Sequence, residues 1–219
     1  AGVDKTAYPD IAEYFADLAR VYREEIAALY AAGCRYLQID ETNYPFLCDP
    51  KLHDHVRSIG EDPVGIQKIY ARLLNDCLQD KPADMTIATH FCRGNHESAW
   101  VASGGYEPVA EVAFGELNFD GFFLEFDTDR AGDFRPLRHL NGKKIAVLGL
   151  VTSKKPQLEA KDMLKRRIEE AAKYVPLERL ALSPQCGFAS TIGGNKLTVD
   201  DEKRKLELVV EVAREVWGS

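Results

Sequence analysis

The apolar residues of this chain recur in two patterns that predict alternating helices and strands. In the first pattern they are spaced three and four positions apart, as on one face of a helix. The first such stretch opens at Pro9 and Asp10 and ends at Gly33, which is typical of a C-cap. Further helices are predicted over residues 62–78, 106–117, 134–140, 161–174 and 200–217.

In the second pattern, short runs of apolar and β-branched residues lie between these stretches and predict strands. The predicted strands cover residues 34–40, 85–88, 119–126, 144–151 and 180–183. A long loop is expected over 43–61, where His53 and His55 lie. Strand and helix alternate, which is the order of right-handed βαβ units in a parallel sheet. The sequence therefore predicts an α/β fold in a single domain.

The composition narrows the class of protein. The chain has 219 residues, 45% hydrophobic and 29% charged, as in ordinary globular proteins. Its net charge of −7 argues against nucleic acid as a partner, because such a partner requires a basic surface. No apolar run approaches about 20 residues, so no membrane span is expected. Five cysteines, odd in number and irregularly spaced, favour free or metal-bound thiols and a cytoplasmic location.

His90 and Cys92 stand at the carboxyl end of the second predicted strand. Residues two positions apart in an extended segment point to the same side, so the imidazole and the thiol face one spot. Nitrogen and sulfur donors suit zinc. The pair alone does not establish a metal site, because a His-x-Cys pair in a buried strand is more often ordinary packing.

Three further polar residues follow other predicted strands at the same end. Asp40, Glu125 and Cys186 join His90 and Cys92 at or just after the carboxyl ends of strands. This is the edge where parallel α/β folds place their sites. All of these residues except Asp40 form a plausible zinc set of one imidazole, two thiolates and one carboxylate. The sequence thus predicts a Zn²⁺ site that joins segments distant in the chain.

These residues also have purely structural interpretations. Glu125 could pair with an arginine such as Arg130, and the sequence leaves both roles open. Cys186 follows Pro184 in a turn that we expect to be tight and exposed, an unusual place for a cysteine that only packs. The other cysteines are expected to be small buried hydrophobic residues: Cys34, Cys48 and Cys77.

Four short segments, in order along the chain, form a recognisable set. They are Gln38-Ile-Asp40-Glu41, Thr89-His90-Phe-Cys92, Phe123-Leu-Glu125 and Ser183-Pro-Gln-Cys186-Gly187. Together they resemble the C-terminal, zinc-bearing barrel domain of cobalamin-independent methionine synthases. The resemblance covers nearly the whole chain, and residues 149–154 are closer to the short, single-barrel members of that family.

The resemblance implies roles for these residues. In the family, the His-x-Cys pair, the later glutamate and the cysteine of the Pro-x-Cys-Gly turn bind zinc. The implied ligands here are His90, Cys92, Glu125 and Cys186. Asp40 would be a catalytic residue that binds the amino group of the substrate homocysteine, and the neighbouring Glu41 would be a second substrate contact. The implied activity is zinc-dependent methyl transfer to the thiol of homocysteine, giving methionine.

Zinc chemistry agrees with that activity. A thiol is mostly protonated at neutral pH, although the thiolate is the nucleophile. Coordination to zinc removes the proton, and a site with two cysteine thiolates and a glutamate keeps a substrate sulfur electron-rich. Glu125, the hardest ligand, is expected to yield its position to that sulfur, which leaves three protein ligands and an exchangeable position.

One difference from the long, two-barrel enzymes concerns the methyl donor. Those enzymes carry a histidine, thought to protonate the departing folate nitrogen, on the strand that matches residues 144–151. This chain has Leu150-Val-Thr152-Ser153 there, so the donor is left open between a folate type and another compound. Two other functions also stay open: alkyl transfer to another thiol, as in relatives that alkylate coenzyme M, and a non-catalytic barrel fragment with a structural zinc.

The predicted strands are too few for a closed barrel. A (βα)8 TIM barrel has eight strands in about 250 residues, and five are predicted here. We therefore expect residues 1–219 to be the C-terminal part of such a barrel domain, its last five βα units. Five curled strands leave two open edges, so a missing N-terminal half or a second copy of the chain is expected to complete the barrel.

Overall fold

The chain forms a layer of parallel strands covered by helices. A computed structural model describes residues 3–218. Their strands are β1 (Tyr36–Glu41), β2 (Thr86–Phe91), β3 (Gly121–Glu125), β4 (Ile145–Val151) and β5 (Leu180–Pro184). Their α-helices are α1 (Ile11–Ala31), α2 (Asn43–Leu47), α3 (Pro50–Ser58), α4 (Pro63–Cys77), α5 (Glu107–Glu116), α6 (Lys161–Ala171) and α7 (Val199–Trp217). None of these helices is both long and apolar enough to cross a membrane.

The five strands form a single sheet in the order β1-β2-β3-β4-β5, and every pair is parallel. Each strand thus lies beside its neighbour in sequence, and a helical segment connects each pair. Parallel neighbours need such crossovers, because the chain must return to the same end of the sheet. The prediction of an α/β fold with a parallel sheet is confirmed, and the five predicted strands are all present.

The prediction of a long loop over residues 43–61 is wrong, because this segment contains α2 and α3. Asp49 is the N-cap of α3; its carboxylate accepts a hydrogen bond of 3.0 Å from the backbone nitrogen of Lys51, and Pro50 occupies the first turn. An aspartate followed by proline also starts α4, at Asp62. The same start signal is therefore present at Asp49. The helix predicted over 134–140 is a short 3-10 helix, Arg135–His139.

The helix-covered side of the sheet is an aromatic core. Phe91 of β2 is fully buried, and its ring centroid lies 5.7 Å from that of Tyr44, 6.0 Å from that of Phe114 and 5.8 Å from that of Phe122. These rings come from α2, α5 and β3. Aromatic pairs at such distances add to the free energy gained by burying their area. This packing anchors strand β2 on the helix-covered side of the sheet.

Candidate metal centre

The register of the sheet aligns the carboxyl ends of its strands. Asp40 of β1 pairs with His90 of β2, and the next pairings continue the alignment into β3. Cys92 follows β2 directly, Glu125 ends β3, and Cys186 follows β5. One donor atom from each of four side chains lies within 4.8 Å of every other: His90, Cys92, Glu125 and Cys186. The structure brings together the four residues that the sequence predicts as ligands.

The distances between donor atoms suit one small ion. Cys92 Sγ lies 3.3 Å from Cys186 Sγ, and His90 Nε2 lies 3.8 Å from Cys186 Sγ and 3.4 Å from Glu125 Oε1. Ligand atoms of a tetrahedral site with bonds of about 2.0–2.3 Å are about 3.3–3.8 Å apart. The 2.8 Å contact from the Cys186 thiol to Glu125 is shorter, because it is a hydrogen bond. The cluster could therefore hold a metal ion.

Asp40 orients the imidazole. His90 Nδ1 lies 2.8 Å from Asp40 Oδ1 and donates to it, so Nε2 faces the cluster. Carboxylates commonly fix metal-binding histidines in this way. Burial alone would lower the pKa of His90, but the hydrogen bonds with Asp40 and Glu125 outweigh it and raise the pKa to about 9.

Glu125 has two oxygens with different surroundings. Oε2 accepts hydrogen bonds from Arg130 Nη2 at 3.0 Å and from Gln185 Nε2 at 2.8 Å. Oε1 faces the cluster and lies 3.3 Å from the backbone nitrogen of Arg93. Burial alone would raise the pKa of Glu125, but hydrogen bonds from His90 and Cys186 and the charge of Arg130 lower it to about 2. The sequence left two roles open for Glu125, an ion pair with Arg130 or a place among the metal donors. In the structure Glu125 has both.

The two thiols of the cluster act as a pair. The Cys186 thiol has one hydrogen, shared between Glu125 and Cys92, and its contact with Cys92 lowers the pKa of Cys92 to about 7 because it stabilises the Cys92 thiolate. The same contact raises the pKa of Cys186, as do its burial and the charge of Glu125. The prediction that Cys186 lies in an exposed turn is wrong: Cys186 is 5% exposed, because its thiol packs among Cys92, His90 and Glu125.

Glu41 lies elsewhere. Its carboxylate accepts hydrogen bonds from the backbone nitrogens of Asn43 and Tyr44 at the start of α2, and it is buried. Burial raises the pKa of Glu41. Neighbouring residues of a strand point to opposite faces, so Asp40 faces His90 while Glu41 faces the helices. The role of Glu41 as a substrate contact stays a prediction.

The comparisons with known proteins bear directly on this cluster. Residues 8–215 match the family model described as the catalytic domain of cobalamin-independent synthase. The chain belongs to this family. Protein YxjH of Bacillus subtilis is 50% identical over 215 residues, which are 98% of this chain and 57% of that protein. The methionine synthase of Pyrococcus abyssi is 26% identical over 181 residues, 83% of this chain and 45% of that protein. The chain spans about half the length of these curated relatives.

Two solved structures extend the comparison. A candidate vitamin-B12-independent methionine synthase from Listeria monocytogenes superposes with a TM-score of 0.75 at 43% identity, over 97% of this chain and 58% of its own. A B12-independent methionine synthase from Shewanella sp. W3-18-1, solved with selenomethionine, superposes with a TM-score of 0.67 at 19% identity. The superposition covers 93% of this chain and 54% of that one. The latter shows the fold alone. The five-stranded sheet therefore matches part of a TIM barrel, as predicted.

In this member of the family the cluster borders an open cleft. The cleft has a volume of about 270 Å³, and its walls include His90, Glu125 and Cys186. Gln38 and Ser183 extend the wall along β1 and β5. A small molecule could therefore reach the donor atoms from the face of the sheet opposite the aromatic core.

Gln185 was missed by the sequence reasoning. Its amide contacts Glu125 from a buried position, and Thr152 donates to it at 2.9 Å. A glutamine in a turn gives no periodic or compositional signal that separates it from a solvated one. Only its position next to Cys186 indicates in the sequence that Gln185 belongs to the site.

Proposed function

We propose that this protein binds Zn²⁺ at the cluster and uses it to activate a small thiol for methyl transfer, with homocysteine as the favoured acceptor. The observation that carries the proposal is the convergence of one imidazole, two thiols and one carboxylate from three strands within 4.8 Å. Membership of the cobalamin-independent synthase family supports it. So does the name of the P. abyssi relative, a methionine synthase.

The donor set fits zinc better than a harder cation. Nitrogen and sulfur donors are those that zinc takes in proteins, whereas magnesium and calcium take oxygen. When bound, zinc supplies the positive charge that keeps a substrate thiol deprotonated at neutral pH. The adjacent cleft gives that thiol access from solvent.

Two residues would prepare the site for substrate. Glu125 keeps Oε2 on Arg130 and Gln185, so Oε1 is free to give up its position without the side chain losing its anchor. Asp40 uses Oδ1 to orient His90, and its side chain is 61% exposed. Oδ2 is thus available to the ammonium group of an amino-acid substrate. The orienting role and the substrate-binding role of Asp40 are compatible.

The methyl donor is part of the same proposal. The hydroxyl of Thr152, which lies just after β4 where the long enzymes have a histidine, donates to Gln185 and offers no acid to a departing nitrogen. General acids contribute about 10²–10⁴-fold to such steps. We therefore favour a donor that needs no protonation. Rapid turnover of methyltetrahydrofolate by the purified protein would contradict this part of the proposal.

X-ray absorption at the zinc edge tests the central claim. We expect two sulfur neighbours in the protein alone and three after addition of homocysteine. Homoserine, which carries a hydroxyl in place of the thiol, is the matched control and should leave the count at two. Protein without stoichiometric zinc would refute the proposal. Zinc with the same neighbours in all samples would instead indicate a structural site.

A further inference from the structure

A network of buried and half-buried polar side chains leads away from Glu125. Gln185 Nε2 donates to Glu125 Oε2 at 2.8 Å, and Thr152 Oγ1 donates to Gln185 Oε1 at 2.9 Å. The backbone nitrogen of Thr152 donates to Glu159 Oε1 at 2.8 Å, and Lys205 Nζ lies 3.1 Å from Glu159 Oε2. This network of side chains thus connects the end of β3 to helix α7.

Glu125 and Thr152 together set the orientation of the Gln185 amide. Thr152 Oγ1 accepts from the backbone nitrogen of Lys154 at 3.2 Å and donates its own hydrogen to Gln185 Oε1, while the Glu125 carboxylate only accepts. The amide nitrogen must then face Glu125. The flipped amide would place its oxygen against the Glu125 carboxylate, which has no hydrogen to donate, and would lose that hydrogen bond.

At α7 the network ends in a buried ion pair between Lys205 and Glu159. Lys205 is fully buried, and it also donates to the backbone oxygen of Gln157 at 2.6 Å. Glu159 is 11% exposed. A buried ion pair is costly to break, because separation leaves an unpaired charge in the interior. The loop that carries Thr152 is therefore fastened to α7.

We propose that Gln185 is a positioning residue that makes Glu125 a ligand through one oxygen only. With Arg130, it occupies Oε2 and leaves Oε1 toward the cluster. Thr152 keeps the amide in the required orientation. The inference deepens the proposed function and rests on it in one respect, that an ion occupies the site. The carboxylate would then leave and regain the ion without changing its other partners.

Three variants and one control test this role. Gln185→Met removes the amide at nearly the same size, Thr152→Val removes the hydroxyl, and Thr152→Ser retains it. Gln67→Met is the control, since Gln67 is also buried but donates to backbone oxygens of Pro63 and Pro108. The readouts are zinc affinity by chelator competition and the visible spectrum of the cobalt-substituted protein, which reports the geometry of the ligands.

We expect Gln185→Met to weaken zinc binding by about 10- to 100-fold, as for other residues that orient metal ligands, and to change the cobalt spectrum. Thr152→Val should show the same changes to a smaller extent, and Thr152→Ser and Gln67→Met should match the wild type. If Gln185→Met does not fold, the two Thr152 variants decide. Wild-type affinity and spectrum in folded Thr152→Val and Gln185→Met would overturn the inference, as would an equal loss in Gln67→Met. A wild-type protein that binds no zinc refutes the proposed function instead.

Discussion

Strand β2 separates two regions that depend on different physical interactions. Phe91 points to the helices and contacts aromatic rings on several sides, all of them buried. His90, its neighbour in sequence, points to the other face and meets Asp40 and Glu125 through contacts of 2.8 and 3.4 Å. Packing sums many weak, non-directional contacts, whereas the cluster depends on a few directional ones.

The two regions respond differently to substitution. Removal of a ring from the core lowers the stability of the whole molecule, because the surrounding side chains collapse only partly into the space. Removal of a donor from the cluster changes the chemistry of one place. Substitutions on the two faces of β2 should therefore separate loss of stability from loss of metal.

The largest effect is expected at the thiols. Cys92→Ser and Cys186→Ser should reduce zinc from about one ion per chain to almost none, because each removes one of the two thiolate donors. Cys77→Ser is the control, since Cys77 is buried in α4 and outside the cluster. Metal analysis of the three purified variants measures the effect. Equal zinc in all of them would refute the ligand assignment.

On the other face, Phe91→Ala should lower the free energy of unfolding by about 3–5 kcal/mol, the usual cost of truncating a buried phenylalanine. Tyr36→Ala on β1 is the control, because Tyr36 is 53% exposed; surface changes usually stay within about 0.5 kcal/mol. Urea unfolding of both variants gives the comparison. A similar loss in both would mean that the aromatic core does not anchor β2.

The smallest effect is expected at Asp40. Asp40→Ala should weaken zinc binding by about 10- to 100-fold, because His90 loses the carboxylate that orients it. Asp40→Asn keeps an oxygen near Nδ1 and should weaken zinc binding less, while it weakens homocysteine binding through loss of charge. Isothermal titration with each ligand separates the two roles. Unchanged zinc affinity in Asp40→Ala would remove the orienting role.

Much of the fold could be predicted from the sequence because its signals are local. Apolar periodicity located all five strands, and the Asp62-Pro63 signal located the start of α4. Helices α2 and α3 were missed although Asp49 and Pro50 carry the same signal. Each of these helices is short, so its apolar residues do not repeat often enough to show a helical period.

The candidate site could be predicted only in part. Positions at strand ends indicated the four donor side chains, since parallel strands end at one edge of the sheet. The contact between Asp40 and His90 depends on the register of β1 against β2, which periodicity does not report. The link from Gln185 to Glu125 depends on side-chain orientation across two strands. Such contacts are properties of the assembled sheet.

The wide spacing of the donors along the chain also has a consequence for the order of folding. Cys186 is 61 positions from Glu125 and 94 from Cys92, so an ion that contacts all of them would close long loops. Loop closure on this scale costs entropy that a single coordinate bond meets poorly in an unfolded chain. The ion would therefore bind after β2, β3 and β5 have come together. The appearance of tight metal binding during refolding would then mark the moment at which the sheet is assembled.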